Sequence, residues 1–201
     1  MPAPAPEPSL QHGLFGQPPA RAQTHRLFFA LVPDDAVRSD IQRVATWLYE
    51  QHPELGARWL KPERFHATLN FLGDFPQLPE DVVEVAKRAA QRVRALPFDW
   101  TLDHAASFRG REPPCVLRSN VVPEPLSALW RDVNAALKET GLHWPLERSF
   151  TPHVTLAYAR QLLPDPVAIA PIAWQIRNFV LIHNVVGRGS YQMLGDWPLS
   201  V

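Results

Sequence analysis

His66-Ala67-Thr68-Leu69 recurs 87 residues later as His153-Val154-Thr155-Leu156. One copy of so short a pattern would mean little, but a second argues for two related halves. On an extended strand residues i and i+2 share a face. His66 and Thr68 therefore project together, as do His153 and Thr155, while Ala67, Val154 and the two leucines turn toward the packing layer. Two such strands, side by side at the centre of a two-lobed fold, would bring four polar side chains to one groove.

The chain around the motifs fits that architecture. Leu27-Phe28-Phe29-Ala30-Leu31-Val32 is a continuous apolar run stopped by Pro33, the pattern of a central strand buried on both faces. Asp34 then caps a helix with Val37, Ile41, Val44 and Leu48 on one side. A second helix is expected from Pro79 to Ala95, with Val82, Val85, Ala89 and Val93 inward. A third is expected from Pro125 to Thr140, with Leu126, Leu129, Val133 and Leu137 inward and Gly141 as its stop. Strands are expected at 66–72, 98–108, 115–119, 153–158, 172–183 and 190–197. Arg109-Gly110-Arg111 and Gly187-Arg188-Gly189 read as hairpin turns. The pattern predicts an α+β fold with two pseudo-symmetric lobes, mostly antiparallel sheets flanked by helices, and a central groove.

The 201 residues suit a single domain; 46% are hydrophobic and 20% charged, enough apolar content for a packed core. Residues 1–24 are rich in proline and read as a disordered tail, leaving 25–201 as the folded unit. Lys plus Arg and Asp plus Glu number 20 each, so the formal charge is zero. Proteins that coat long nucleic acids gain affinity from a basic surplus. A phosphate-bearing partner must here be gripped locally. With one cysteine, Cys115, no internal disulfide forms, and with no long apolar run no membrane span is expected. The expectation is a cytoplasmic monomer.

Two imidazoles and two hydroxyls suit cleavage of a phosphodiester. The attacking oxygen must lose a proton and the departing oxygen gain one, on opposite sides of phosphorus. Histidine titrates near neutrality and serves either role. Threonine hydroxyls can bond the non-bridging oxygens, where charge gathers in the transition state. Such a groove needs no metal, and no carboxylate or histidine cluster with a metal-ligand spacing is evident.

The paired His-x-Thr motifs resemble those of the two-histidine phosphoesterases, and their surroundings are similar to the bacterial and archaeal RNA 2′,3′-cyclic phosphodiesterases, historically called 2′-5′ RNA ligases. The similar segments are Arg26 to Leu31, Phe65 to Gly73, Thr151 to Ala157, and Tyr191 through Leu199. The resemblance implies that His66 and His153 are the acid and base, and that Thr68 and Thr155 bind phosphate. It also implies hydrolysis of an RNA-terminal 2′,3′-cyclic phosphate to a 2′-phosphate without cofactor or metal, with reversible 2′-5′ ligation. In that scheme His66 protonates the leaving 3′ oxygen and His153 activates water. Phe71 corresponds to a family aromatic near the substrate base. Many relatives carry an arginine five positions beyond the second histidine, where this chain has Tyr158. Arg160 lies two residues further on, and is expected to reach the groove in its place; failing that, Arg148, Lys61, Arg64 or Arg188 must meet the phosphate charge.

Other readings keep the groove and change its use: a phosphodiesterase for 2′-5′ oligoadenylate or a small cyclic nucleotide, or a non-catalytic binder of RNA ends. A binder has no need of two proton-transfer groups. Cys115 is expected to be a buried thiol, the remaining histidines surface or turn residues, His104 and His183 excepted as strand positions, and the tryptophans mainly core. Trp59 and Trp144 are candidates for the groove wall.

Overall fold

The computed structural model of the chain describes residues 23–143 and 146–200. The proline-rich tail, apart from Gln23 and Thr24, and Trp144 lie outside the described residues. In chain order the elements are β1 (His25–Leu31), α1 (Asp35–Gln51), β2 (Arg58–Trp59), β3 (Ala67–Phe75), α2 (Glu80–Ala90), β4 (Phe98–Ser107), β5 (Pro114–Arg118), α3 (Glu124–Glu139), β6 (Val154–Tyr158), β7 (Val167–Ile176), β8 (Asn178–Val185) and β9 (Tyr191–Pro198).

The local signals act as the residue pattern predicts where they are strongest. Asp34 accepts a hydrogen bond from the Val37 N–H at 2.9 Å and so caps α1. Leu126, Leu129, Val133 and Leu137 of α3 are all fully buried. The second helix is shorter than expected. Pro79 precedes it as the cap, and after Ala90 the N–H groups of Arg92 and Val93 reach back three residues, to Ala89 and Ala90, which tightens and ends the helix. Its buried side is Val82, Val83, Ala86, Ala89 and Ala90, with Val85 and Val93 only half-buried.

One antiparallel sheet runs through the molecule in the order β7-β4-β5-β6-β3-β1-β8-β9, with β2 attached to β6. The two lobes are its two halves, β7-β4-β5-β6 and β3-β1-β8-β9. They meet where β3 touches β6, and a single residue pair, Ala67 with Val154, joins them. Beyond that pair the strands part, and β2 takes the vacated edge of β6, pairing Arg58 with Tyr158 and Trp59 with Ala157. The parting of β3 from β6 opens the groove on one face. On the other face the helices and the apolar strand residues form the main core, in which Trp100, Phe29, Phe65 and Phe179 are fully buried. Asn70 ties β3 to α3 there, its Nδ2 donating to Asn134 Oδ1 at 2.8 Å.

The segment expected as one strand from 172 to 183 is two. It breaks at Arg177, whose carbonyl accepts from the Leu199 N–H at 2.7 Å, and the two strands lie in opposite halves of the sheet. β7 alternates buried and open positions toward its end, whereas β8 is buried through Phe179–Asn184. With neither glycine nor proline at the crossing, the apolar runs merge in the sequence.

Candidate active site

The groove is a cavity of about 390 Å³ lined by His66, Thr68, Phe71, His153, Thr155 and Tyr158, among others. Both motifs thus reach one space. Each histidine sits just ahead of its strand and is fixed in the same way. His66 Nδ1 donates to the Arg64 carbonyl at 2.8 Å and His153 Nδ1 donates to the Thr151 carbonyl at 2.7 Å. A carbonyl can only accept, so the proton on each ring is assigned to Nδ1 and each Nε2 remains to titrate.

Aromatic rings hold the imidazoles. Phe28 lies 5.1 Å and Tyr191 5.3 Å from the His66 ring, the latter edge-on. Phe108 stands edge-on to His153 at 4.9 Å. Burial disfavours the charged form of both rings. It pushes His66 down to about 4, aided by the charges of His153 and Arg64 and opposed by the bond to the Arg64 carbonyl. Burial lowers His153 too, with the Arg118 charge adding to the effect and the Thr151 carbonyl opposing it.

A β-bulge shapes each motif. In β3 the residues facing Phe29 and Ala30 of β1 are Asn70 and Thr68, so Leu69 is the extra residue. In β6 the residues facing Cys115 and Val116 of β5 are Ala157 and Thr155, so Leu156 is the extra residue. A bulge shifts the alternation of faces by one. The fifth position after each histidine, which a regular strand would turn away, instead lines the groove as Phe71 and Tyr158.

Arg160 corrects the expectation made for it. Strand β6 ends at Tyr158; the Arg160 N–H bonds the Leu55 carbonyl at 2.9 Å, and its side chain lies over Gly56, outside the groove lining. Of the other cations weighed for phosphate, Arg64 lines the groove and Lys61, Arg148 and Arg188 do not. Trp59 lies outside the lining as well. Arg26, Phe28, Phe150 and Tyr191 line it without having been singled out in the sequence as site residues. The signal available for Tyr158 was its spacing, since it stands five residues after His153 as Phe71 stands five after His66.

The other titratable residues are accounted for elsewhere. Cys115 is fully buried and its thiol is pushed up to about 11 by burial, the state of a packing residue. His183 is buried in β8, its Nε2 2.9 Å from His25 Nδ1, and His104 bonds Asp103 at 2.6 Å. No group of three or more potential metal ligands occurs among the described residues.

Comparison with known proteins agrees with this geometry. Residues 31–118 match the family described as LigT like phosphoesterase. The chain is 27% identical over 169 residues to the RNA 2′,3′-cyclic phosphodiesterase of Thermotoga maritima, covering 80% of this chain and 87% of that protein. It is 34% identical over 151 residues to the protein of the same name from Geobacillus stearothermophilus, covering 70% of this chain and 47% of that one. The crystal structure of E. coli LigT complexed with 3′-AMP superposes with a TM-score of 0.74 at 26% identity, covering 89% of this chain and 99% of that one. In its fold, its sequence relatives and its two His-x-Thr strands meeting at one groove, the chain is similar to the LigT-like phosphoesterases.

Proposed function

We propose that the chain hydrolyses the 2′,3′-cyclic phosphate at an RNA end to a 2′-phosphate, acting as a monomer without metal or cofactor. The observation that carries this reading is the convergence of both imidazoles and both threonines on one cavity. The relatives named RNA 2′,3′-cyclic phosphodiesterase support it. Thr68 and Thr155 donate to the non-bridging oxygens. His66 protonates the 3′ oxygen as it leaves, while His153 takes the proton of the attacking water.

The electrostatics set a condition on that scheme. Burial holds both rings neutral, and a proton on His153 disfavours one on His66. The substrate's anion, lying beside both rings, raises them and lets His66 charge. Once charged, His66 is a strong proton donor because its environment disfavours the cation.

Turnover of a cyclic-phosphate-ended oligonucleotide, with product analysis, tests the reading. The expected products carry 2′-phosphate ends and form equally well in EDTA. Replacing either His66 or His153 by Ala should slow turnover by roughly 10²–10⁴-fold. Full activity in His153→Ala, or activity lost to chelation, would overturn the mechanism. A nitrophenyl phosphodiester, whose leaving group needs no proton, separates the two roles: His66→Ala should recover on it and His153→Ala should not.

A further inference from the structure

In each half of the groove an arginine meets the same ring that meets the histidine. Tyr191 of β9 lies 5.3 Å from the His66 ring at 89°, and the Arg64 guanidinium lies 4.7 Å from the Tyr191 centroid. Phe108 lies 4.9 Å from the His153 ring at 88°, and the Arg118 guanidinium lies 5.5 Å from the Phe108 centroid. The motif repeat does not extend to these residues. Tyr191 comes from the last strand and Phe108 follows β4, its N–H bonded to the Pro114 carbonyl at 3.1 Å. The arrangement is thus assembled twice from unrelated segments, which repetition of the motif alone does not explain.

Neither guanidinium is neutralised. Arg64 and Arg118 form no ion pair with a carboxylate among the described residues, and the Nε of each is buried without a hydrogen-bond partner there. Arg64 donates to the Tyr191 hydroxyl at 3.2 Å, whereas Phe108 offers Arg118 only its ring. Arg118 stands opposite His104 of β4, but the adjoining carboxylate, Asp103, bonds His104 and the Asn120 N–H instead. A guanidinium held on a ring face in a partly buried setting keeps more of its field than one in water.

The groove lining itself is uneven in charge. Its arginines, Arg26 and Arg64, both come from the half built on β3 and β1, Arg64 just ahead of β3. The lining from 147 to 158 contains Glu147 and no arginine or lysine. The pairing of Leu117 with Val154 sets Arg118 opposite His153 across the β5–β6 ladder, so β5 brings a cation to that half.

We propose that Arg118, through Phe108, positions His153 and supplies that half of the groove with the positive charge that Arg64 supplies to the other. This rests on the phosphodiesterase reading and deepens it by naming a positioning residue outside the groove lining. A cation there opposes a positive charge on His153, which leaves the ring free to accept a proton, and it favours the substrate's anion beside the ring. Burial is the larger cause of the low basicity of both imidazoles; the Arg64 charge lowers His66 further and the Arg118 charge lowers His153. The other charged or titratable groups of the cavity are Glu147 and Tyr158 in the same half, and His66, Arg26, Arg64 and Tyr191 in the other.

Ring NMR titration of the two histidines, assigned with His66→Gln and His153→Gln, tests this in the full chain. Arg118→Met keeps an unbranched stem against Phe108 and removes the charge. It should move the His153 midpoint to higher pH and move His66 less. Arg118→Lys should hold His153 in place, and Arg64→Met should act on His66 instead. Arg118→Gln serves as a second uncharged variant. Inorganic phosphate should bind up to about fivefold more weakly to Arg118→Met than to Arg118→Lys, the scale of one exposed charge pair. A His153 midpoint unmoved in both uncharged variants, or moved equally by Arg118→Lys, would overturn the proposal and leave Arg118 as packing for Phe108. If the midpoint moves as expected while the unaltered chain leaves cyclic phosphate uncleaved, the positioning stands and the catalytic reading falls.

Discussion

Ala67 and Val154 form, among the described residues, the single strand pairing between the two halves of the sheet, and each stands between the histidine and the threonine of its motif. The contact does two things at once. It closes the sheet across the molecule, and it sets the two His-Thr pairs beside one another on the open face. Everything on the groove floor is positioned by this pair and by the bulges three residues beyond each histidine.

The threonines are expected to act on the reaction rather than on the fold. Thr68→Val and Thr155→Val keep the side-chain volume and remove one donor to the phosphate. Each should lower kcat about 10²-fold, by analogy with the loss of one oxyanion donor. Thermal melting should shift little, since both hydroxyls face the groove. Steady-state kinetics beside a melting curve would check this; unchanged kcat in both variants would contradict the role.

Protonation of His66 should be visible in stability. Its pKa lies at about 4 in the folded chain against about 6.5 in an unfolded one, so the unfolded state binds more protons between those values. The neutral ring is compatible with the fold above pH 6.5, and stability falls as the pH drops from there toward 4, by up to about 3 kcal/mol from this group. Urea unfolding across that window should show a steeper acid limb in the unaltered chain than in His66→Gln.

The same shift predicts a difference between two pH profiles. The profile of kcat/KM reports the free enzyme, in which burial depresses both imidazoles. That of kcat reports the complex, in which the substrate's anion favours their charged forms. The optimum of kcat should therefore lie at higher pH than that of kcat/KM. Coincident profiles would show that the bound phosphate does not raise the rings.

Asp74 should matter for substrate affinity and hardly for the fold. It holds Arg26 over Phe71, and the Arg26 guanidinium in turn holds its carboxyl below the usual range. Both side chains are about two-fifths exposed, at 42% and 40%, so the pair contributes little to stability. Asp74→Asn should raise KM severalfold with kcat and melting temperature nearly unchanged.

Arg160→Ala should change kcat/KM less than about twofold. Its side chain lies over Gly56, away from the groove lining. A tenfold loss would return Arg160 to the substrate.

The parts legible from the residues were those set by short-range pattern. The motif pair showed which side chains share a strand face, the caps and apolar spacing showed α1 and α3, and the glycine turns showed the two hairpins. The run from 172 to 183 concealed a crossing between the halves, because no local breaker marks it. The side chain of position 158 was equally hidden. Strand parity read from sequence assumes regular alternation, and the bulges that break it appear only when β3 lies against β1 and β6 against β5.

The order of residues was therefore enough to establish that two strands each carry an imidazole and a hydroxyl on one face, since that depends on nothing but the two-residue repeat of an extended chain. Which further groups share the groove was settled by folding. Phe71 and Tyr158 enter it through offsets in strand pairing, Arg26 through a neighbouring strand, and the depressed basicity of His66 through burial against Phe28 and Tyr191. Each of these arises between segments distant along the chain, and no local run of residues encodes it.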